Sequence, residues 1–498
     1  MSNIISPRNM PCIHKCDKLV RECSSNSKWH RAALLRVIRL STAALAIGWL
    51  VLLSGCAAVV RPTANLPLNS DSSLTSGYPQ DLARDYTIGV AFSGGGLRAS
   101  AFAAGVLQGL ANTKAGESDL LDALAFMSSV SGGSLTAAYY VLNGRQGLIQ
   151  IKDEVLMRDF ESHMNVSLAS PANWARLLQG GLNNRTNFAQ VLDDDVFNHA
   201  RFADLYSRGG PDLWINATDL YHRTSFPFIP GLFNALCSDI RAYPVADAVA
   251  ASMAVPVVFE PTVLRTFPEG CTSPESAFIQ PVLKNASSPR LMRAMAEAMH
   301  SYRAPAGPGF VKLVDGGVTD NLGLSSILVS RAVASNAYSP MTARDAVRIK
   351  KMLFLVVDAG RGPSGTWNRQ LDGPGGIDSA MAATDAAIDA AARLAADSFQ
   401  LVMQKWRDDL VRHRCSLGKD ELVALGGGAP TWRCDDVEFI VELISFQSLT
   451  PAMAARVRAI ETRLKLPAHE IELAMEAGRQ LIAQSAAVRK FAQDASEK

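Results

Sequence analysis

The chain is short of charge. Asp, Glu, Lys and Arg make up 19% of its 498 residues, and the formal net charge is only +2. So weak a balance supplies no electrostatic footprint for nucleic acid. Phosphate-binding motifs are missing as well. The triplet Gly94-Gly95-Gly96 is followed by no Gly-Lys-Ser/Thr, which excludes a P-loop, and it lacks the G-x-G-x-x-G spacing of dinucleotide sites. No C-x-x-C pair exists to suggest zinc, and no solenoid-type repeat is visible. Hydrophobic residues are plentiful at 48%, so global disorder is excluded and a sizeable core is available to one large domain or two ordinary ones.

The N-terminal region reads as an export signal. Arg31, Arg36 and Arg39 precede the apolar run Ser41 to Leu53, and Leu53-Ser54-Gly55-Cys56 follows. "LSGC" resembles the lipobox of bacterial lipoproteins. The resemblance implies that Cys56 becomes the mature N-terminus and carries acyl chains that anchor it to a membrane. Ala57, which is not an aspartate, implies outer-membrane sorting in a Gram-negative cell. The alternative is an uncleaved anchor, since Ser41 to Val60 carries no charge. Either way the arginines stay cytoplasmic and everything after Arg61 is exported. The expected organisation is a signal and extension (1–55), a lipid-anchored linker rich in Pro, Ser, Asn and Asp (56–85), a catalytic core (86–360) and a mainly helical part with one further strand (361–498).

Four cysteines lie beyond Cys56: Cys237, Cys271, Cys415 and Cys434. An even number in an oxidising compartment invites disulfides, and four allow three pairings. The sequence-local pairing would close two modest loops, each adding roughly 3 kcal/mol in the chain-entropy picture. Buried free thiols are the alternative.

Strand-like and helix-like runs alternate. "YTIGVAF" (Tyr86–Phe92), "LLDALAFMSSV", "DLWINATDL" (Asp212–Leu220), "GFVKLVDGG", "MLFLVVDAG" and "VEFIVELISF" read as strands. The glycine-bounded pair "GFVKLVDGG" and "MLFLVVDAG" has the look of buried parallel strands. Ala-rich helices are expected over Leu97–Leu110 and Asp378–His413, and two helices at the C-terminal end. "SFPFIPGLFNAL" (Ser225–Leu236) reads either as a lid or as a buried segment, with burial preferred. The alternation indicates an α/β domain with a mostly parallel sheet, whose chemistry sits beyond the carboxyl ends of the strands.

Three strand ends stand out there. Ser131, in "SSVSGGS", lies between a strand and a helix. A nucleophile elbow needs small residues two before and two after the serine, and here these are Ser129 and Gly133. The plain alternative is a helix N-cap. A serine needs a base. His163, His199, His222, His300, His413 and His469 follow Cys56, and none sits in a glycine-bracketed strand end. Asp315, in "KLVDGGVTDNLGL", does; Asp358, in "LVVDAG", is its rival. The triplet Gly94–Gly96 would let bare backbone N–H groups at a helix start face a developing oxyanion, with Arg98 adding charge or clamping the loop.

"GGGLRA", "SVSGGS", "INATDL", "ASMAVPVVFEP" and "DGGVTDNLG" occur in the chain between Gly94 and Gly323. Together they resemble the patatin-like phospholipase family. The resemblance implies a three-layer αβα patatin-like fold with a mostly parallel central sheet. It implies a Ser131–Asp315 dyad, with Gly94, Gly95, Gly96 and Arg98 as the oxyanion group, and it demotes Asp358 to a structural residue. Ser129 departs from the family's elbow, where a glycine is usual. The implied activity is hydrolysis of lipid esters through an acyl-enzyme, of phospholipase A or lysophospholipase type, on membrane lipids, with no metal or cofactor. An acyltransferase would use the same dyad, and a non-catalytic lipid- or partner-binding lipoprotein is the alternative of another class. A partly desolvated Asp315 is expected, because a carboxylate of ordinary pKa is a weak base.

Overall fold

A computed structural model describes residues 63–68, 85–164, 181–184, 187–363, 367–369, 371–428 and 430–496. The chain divides after Pro62. The export signal, the run Ser41–Val60 and Cys56 lie outside the described residues. The account below concerns the compact unit Thr63–Lys498.

Eight strands form the central sheet: β1 (Tyr86–Phe92), β2 (Leu124–Val130), β3 (Asp212–Asp219), β4 (Thr224–Pro227), β5 (Thr262–Arg265), β6 (Phe310–Asp315), β7 (Lys351–Asp358) and β8 (Glu438–Ser445). Their order is β8-β7-β1-β2-β3-β6-β5, with β4 also paired to β3. The pairs from β8 through β3 are parallel, whereas β4 and β6 run antiparallel to β3, and β5 antiparallel to β6. Five helices matter most: α1 (Gly96–Asn112), α2 (Gly132–Ile151), α3 (Val245–Ser252), α4 (Gly376–Ser416) and α5 (Ala468–Gln484).

The layering follows from alternation along the central strands. On β7, Leu353, Leu355 and Val357 face one core, shared with α1, α2 and α5. Met352, Phe354 and Val356 face the other, where Phe399, Met403, Trp406 and Leu410 of α4 pack. Strands buried on both faces read as continuous apolar runs, as "MLFLVVD" does. The result is a three-layer α/β fold with a mostly parallel sheet.

Several expectations need correction. β6 is antiparallel: Phe310 and Lys312 are exposed while Val311 and Leu313 are buried, the one-sided alternation of an antiparallel strand with a wet face. The lysine inside "GFVKLVDGG" was the available sign. Ser225–Leu236, by contrast, is the buried segment, the preferred of its two readings. It forms β4 and a short helix, Pro230–Ala235, with Phe226, Phe228 and Phe233 fully buried. Three helices close the chain, Pro451–Ala459, α5 and Ala486–Ser496. Residues 63–68, within the stretch expected as linker, lie on the core: Asn65 Nδ2 donates to Ser238 Oγ (3.0 Å) and Arg265 O (2.9 Å). Two disulfides are formed, Cys237–Cys271 and Cys415–Cys434, the sequence-local pairing.

Among the described residues, no helix is long and apolar enough to cross a membrane.

Candidate active site

The site lies where β1, β2 and β6 end. β2 hands over to α2 at Ser131, whose backbone adopts φ 50° and ψ −126°. That is a strained conformation for a residue with a side chain, and it aims the hydroxyl out of the turn. Its neighbours show why they are small. A Cβ on Gly133 would sit 2.8 Å from Phe92 Cβ and from Ser93 O, and one on Gly132 would sit 1.9 Å from Gly96 O. Ser129 fits in place of the usual glycine because its hydroxyl points along the sheet and donates to Trp214 O (3.2 Å).

Asp315 ends β6 and meets the serine directly. Ser131 Oγ donates to Asp315 Oδ2 at 2.8 Å, and Gly317 N–H donates to Oδ1 at 2.8 Å. Asp315 N–H is anchored to Ala254 O (2.8 Å), and Thr218 Oγ1 donates to the Asp315 carbonyl (2.9 Å). Asp315 as a residue is 7% exposed. Burial pushes its pKa up to about 6, against the pull of the Gly317 and Ser131 hydrogen bonds. Asp358 is buried too, and burial also raises its pKa, but its Oδ1 accepts from Gly360 N–H (2.8 Å) and it makes no hydrogen bond to Ser131. No histidine bonds to Ser131 among the described residues. His222 pairs with Asp219, His300 with Glu275 and His199 with Asp193.

The glycine triplet divides its roles. Gly95 (φ 138°) and Gly96 (φ 59°) hold backbone conformations that favour glycine. Their N–H groups, and that of Gly132, have no protein acceptor among the described residues. The N-termini of α1 and α2 therefore abut, with free donors and both helix dipoles converging beside Ser131. Gly94 is different and corrects an expectation: its N–H is spent on Asn321 O (3.1 Å). It is glycine because a Cβ would meet Asn321 Oδ1 at 2.6 Å and Ser131 Cβ at 3.1 Å. Arg98 takes the clamp, one of the two roles expected of it. It is 3% exposed, and it donates from Nε to Ala359 O (3.1 Å) and from one terminal nitrogen to Ile460 O (2.8 Å) and Thr462 Oγ1 (3.0 Å). It clamps the loop.

Two residues were not legible in the sequence as parts of this site. Ser252, the last residue of α3, accepts the Ser131 N–H (2.8 Å), donates to Asn216 O (2.6 Å) and lies 3.0 Å from Ser134 Oγ. Its carbonyl accepts from Gly316 N–H (3.2 Å), so one serine ties the elbow, β3 and the aspartate loop together. Arg463 O accepts the Leu97 N–H (2.9 Å), which closes the start of α1 from the far end of the chain. Only the position of Ser252, inside "ASMAVPVVFEP", hinted at its role.

Comparison with known proteins gives a family match and distant structural likenesses. Residues 90–328 match the Patatin family, described as patatin-like phospholipase. The match spans 239 of the 498 residues, and over that stretch the chain is similar to patatin-like phospholipases. Among solved structures it is similar to human GIVD cytosolic phospholipase A2, at 13% identity and a TM-score of 0.36, over 82% of this chain and 63% of that one. It is similar also to VipD from Legionella pneumophila, at 12% identity and a TM-score of 0.30, over 86% of this chain and 72% of that one. Among curated proteins none matches the chain.

Proposed function

We propose that the protein is a lipid acyl hydrolase of phospholipase A or lysophospholipase type, with Ser131 as nucleophile and Asp315 as its base. The observation that carries this is the 2.8 Å hydrogen bond from Ser131 Oγ to a buried carboxylate, set beside unpaired backbone N–H groups. Asp315 takes the hydroxyl proton as Oγ attacks the ester carbonyl. The oxyanion forms against Gly95, Gly96 and Gly132 N–H. Asp315 then protonates the leaving alcohol, and water repeats the cycle on the acyl-serine. A pKa near 6 leaves Asp315 ionised at neutral pH yet more basic than an ordinary carboxylate.

Apolar surface beside the dyad supports a lipid ester. Val318 follows Gly317 and is 41% exposed, while Val255 and Val257 follow Ala254 and are 37% and 54% exposed. Val257 is held at φ 76°, a costly conformation for a β-branched residue and one that clusters at functional sites. We place the enzyme outside the cytoplasm, anchored through acylated Cys56 to an outer membrane, on the strength of the basic flank and "LSGC".

The test is a fluorophosphonate probe, which needs an activated serine and oxyanion donors but no knowledge of the substrate. On Thr63–Lys498, mass spectrometry is expected to find the adduct on Ser131 and to lose it in Asp315→Asn. An unlabelled folded protein, with detergent present, would return the chain to the class of lipid-binding proteins. Turnover of a phospholipid with and without an acceptor alcohol separates hydrolysis from acyl transfer. In full chain recovered from membranes, the same mass spectrometry reads whether Cys56 is acylated.

A further inference from the structure

Soluble surfaces scatter their large apolar side chains singly. One rim of this sheet gathers them. Leu220 and Tyr221, just past the end of β3, are 49% and 77% exposed; Phe310, at the start of β6, is 54% exposed and Leu66 53%. The backbone makes them neighbours. Leu220 N–H donates to Lys312 O (2.9 Å), Phe310 pairs with Arg265 on β5, and Arg265 N–H donates to Asn65 Oδ1 (2.9 Å), the residue before Leu66. Three exposed cations share the rim, Arg223, Arg265 and Lys312, and none is ion-paired among the described residues.

The rim lies on the side of the site. Val130, which precedes Ser131, pairs with Asn216. From there β3 runs three residues further, to Asp219, roughly 10 Å beyond the level of the nucleophile in the direction the carboxyl ends point, and Leu220 and Tyr221 follow in the turn at its end. β6 runs the other way, so Phe310, five residues before Asp315, projects in that same direction. The segment Thr63–Leu68 is fastened at this rim, and Cys56 precedes Thr63 by seven residues, a reach of at most about 25 Å.

We propose that this rim docks on a phospholipid bilayer containing anionic lipid, with the site facing the surface. Aromatic and aliphatic side chains interleaved with unpaired arginine and lysine are the chemistry of the membrane–water interface. A tether from Cys56 would hold the same end toward the bilayer. The inference rests on the reading that the site takes lipid esters, yet its test does not depend on catalysis.

Thr63–Lys498 is mixed with vesicles of phosphatidylcholine, or of phosphatidylcholine with phosphatidylglycerol, and sedimented. Wild type is expected to partition onto the phosphatidylglycerol vesicles. The pair Tyr221→Ser and Phe310→Ser should lower that partition at least tenfold, in keeping with two lost apolar anchors. Leu401→Ser, at an equally exposed leucine on α4, should leave it unchanged. Arg223→Gln with Lys312→Gln should weaken binding to anionic vesicles more than to neutral ones. Thermal melting checks each variant, and Tyr221→Ser alone replaces the pair should the pair misfold. Wild type left in the supernatant, or a Tyr221 variant binding as wild type does, overturns the proposal. In a Ser131→Ala background the partition should stand, so a failed hydrolase reading and a failed docking face give different results.

Discussion

At the scale of the residue, the site trades stability for chemistry. Asp315 has no cationic partner that hydrogen-bonds to it, and its pKa of about 6 stands above the ordinary carboxylate value because it is buried. The sign follows. Below about pH 4 the folded and unfolded chains both hold the proton, and nothing is lost. Between about pH 4 and 6 the unfolded chain releases it first, so stability falls, by up to about 3 kcal/mol, and the loss persists above pH 6. Asp315→Asn removes this penalty and can keep both hydrogen bonds, its Oδ1 accepting from Gly317 and its Nδ2 donating to Ser131 Oγ. We expect this variant to melt higher than wild type at pH 8, by a margin that shrinks toward pH 4, while turnover disappears. An Asp315→Asn protein less stable at pH 8 would refute the account. In wild type, hydrolysis should rise with pH through about 6 as the base ionises. Ser131 and Asp315 were legible because a pair of glycines follows each at the end of an apolar run. Ser252 was not, nor was which of its two expected roles Arg98 takes, because each acts through partners far away in sequence, Arg98 through Ile460 and Thr462.

At the scale of the element, the helix that follows the glycine triplet is placed by glycines. α1 crosses α5 so closely that a Cβ on Gly105 would lie 2.0 Å from Met475 O, and one on Gly478 would lie 2.6 Å from Phe102 O and Val106 N. Gly109 in turn faces Ile482, at 2.8 Å. Backbone cannot yield as a side-chain tip can. Gly105→Ala should therefore force α1 away from α5, costing on the order of 1–3 kcal/mol through overpacking despite alanine's better helix propensity. Gly231→Ala is the contrast: nothing lies within 4 Å of its Cβ, in the short helix Pro230–Ala235, and it should raise stability by about 0.4–1 kcal/mol. Denaturant melts of the two variants decide, and equal effects would mean that the crossing adapts. The strands β1, β2 and β7 were readable from their apolar runs, and α1 and α4 from their alanines. The crossing was not, since in an alanine-rich helix a glycine reads only as one more small residue. The direction of β6 was misread because its glycine-bounded outline outweighed Lys312.

At the scale of the whole molecule, the family-matched region does not complete the site by itself. The match ends at residue 328, yet Arg98 is held by Ile460 and Thr462, and Leu97 by Arg463. Arg463 is tied in turn to Glu161, and Lys465 to Asp159. The late part of the chain is thus a buttress for the glycine loop, which its alanine-rich helices gave no reason to expect. The two disulfides divide the molecule in a way that experiment can read. Cys415–Cys434 sits by the amino ends of β7 and β8, where neighbouring Arg414 donates to Ile349 O (2.8 Å) and pairs with Asp436. Cys237–Cys271 sits by the docking rim, since Leu68 N–H donates to Cys237 O (2.8 Å) and Ser238 Oγ to Leu66 O (2.7 Å). Their sequence separations of 34 and 19 residues give similar chain-entropy contributions, roughly 4 and 3 kcal/mol. Replacing either pair by serines should therefore lower the melting temperature to a comparable degree. Only Cys237→Ser with Cys271→Ser should also weaken vesicle binding, because it frees the segment that presents Leu66. If Cys415→Ser with Cys434→Ser loses vesicle binding just as far, the effect belongs to global loosening, and the two ends of the sheet are not the separate units that their contacts describe.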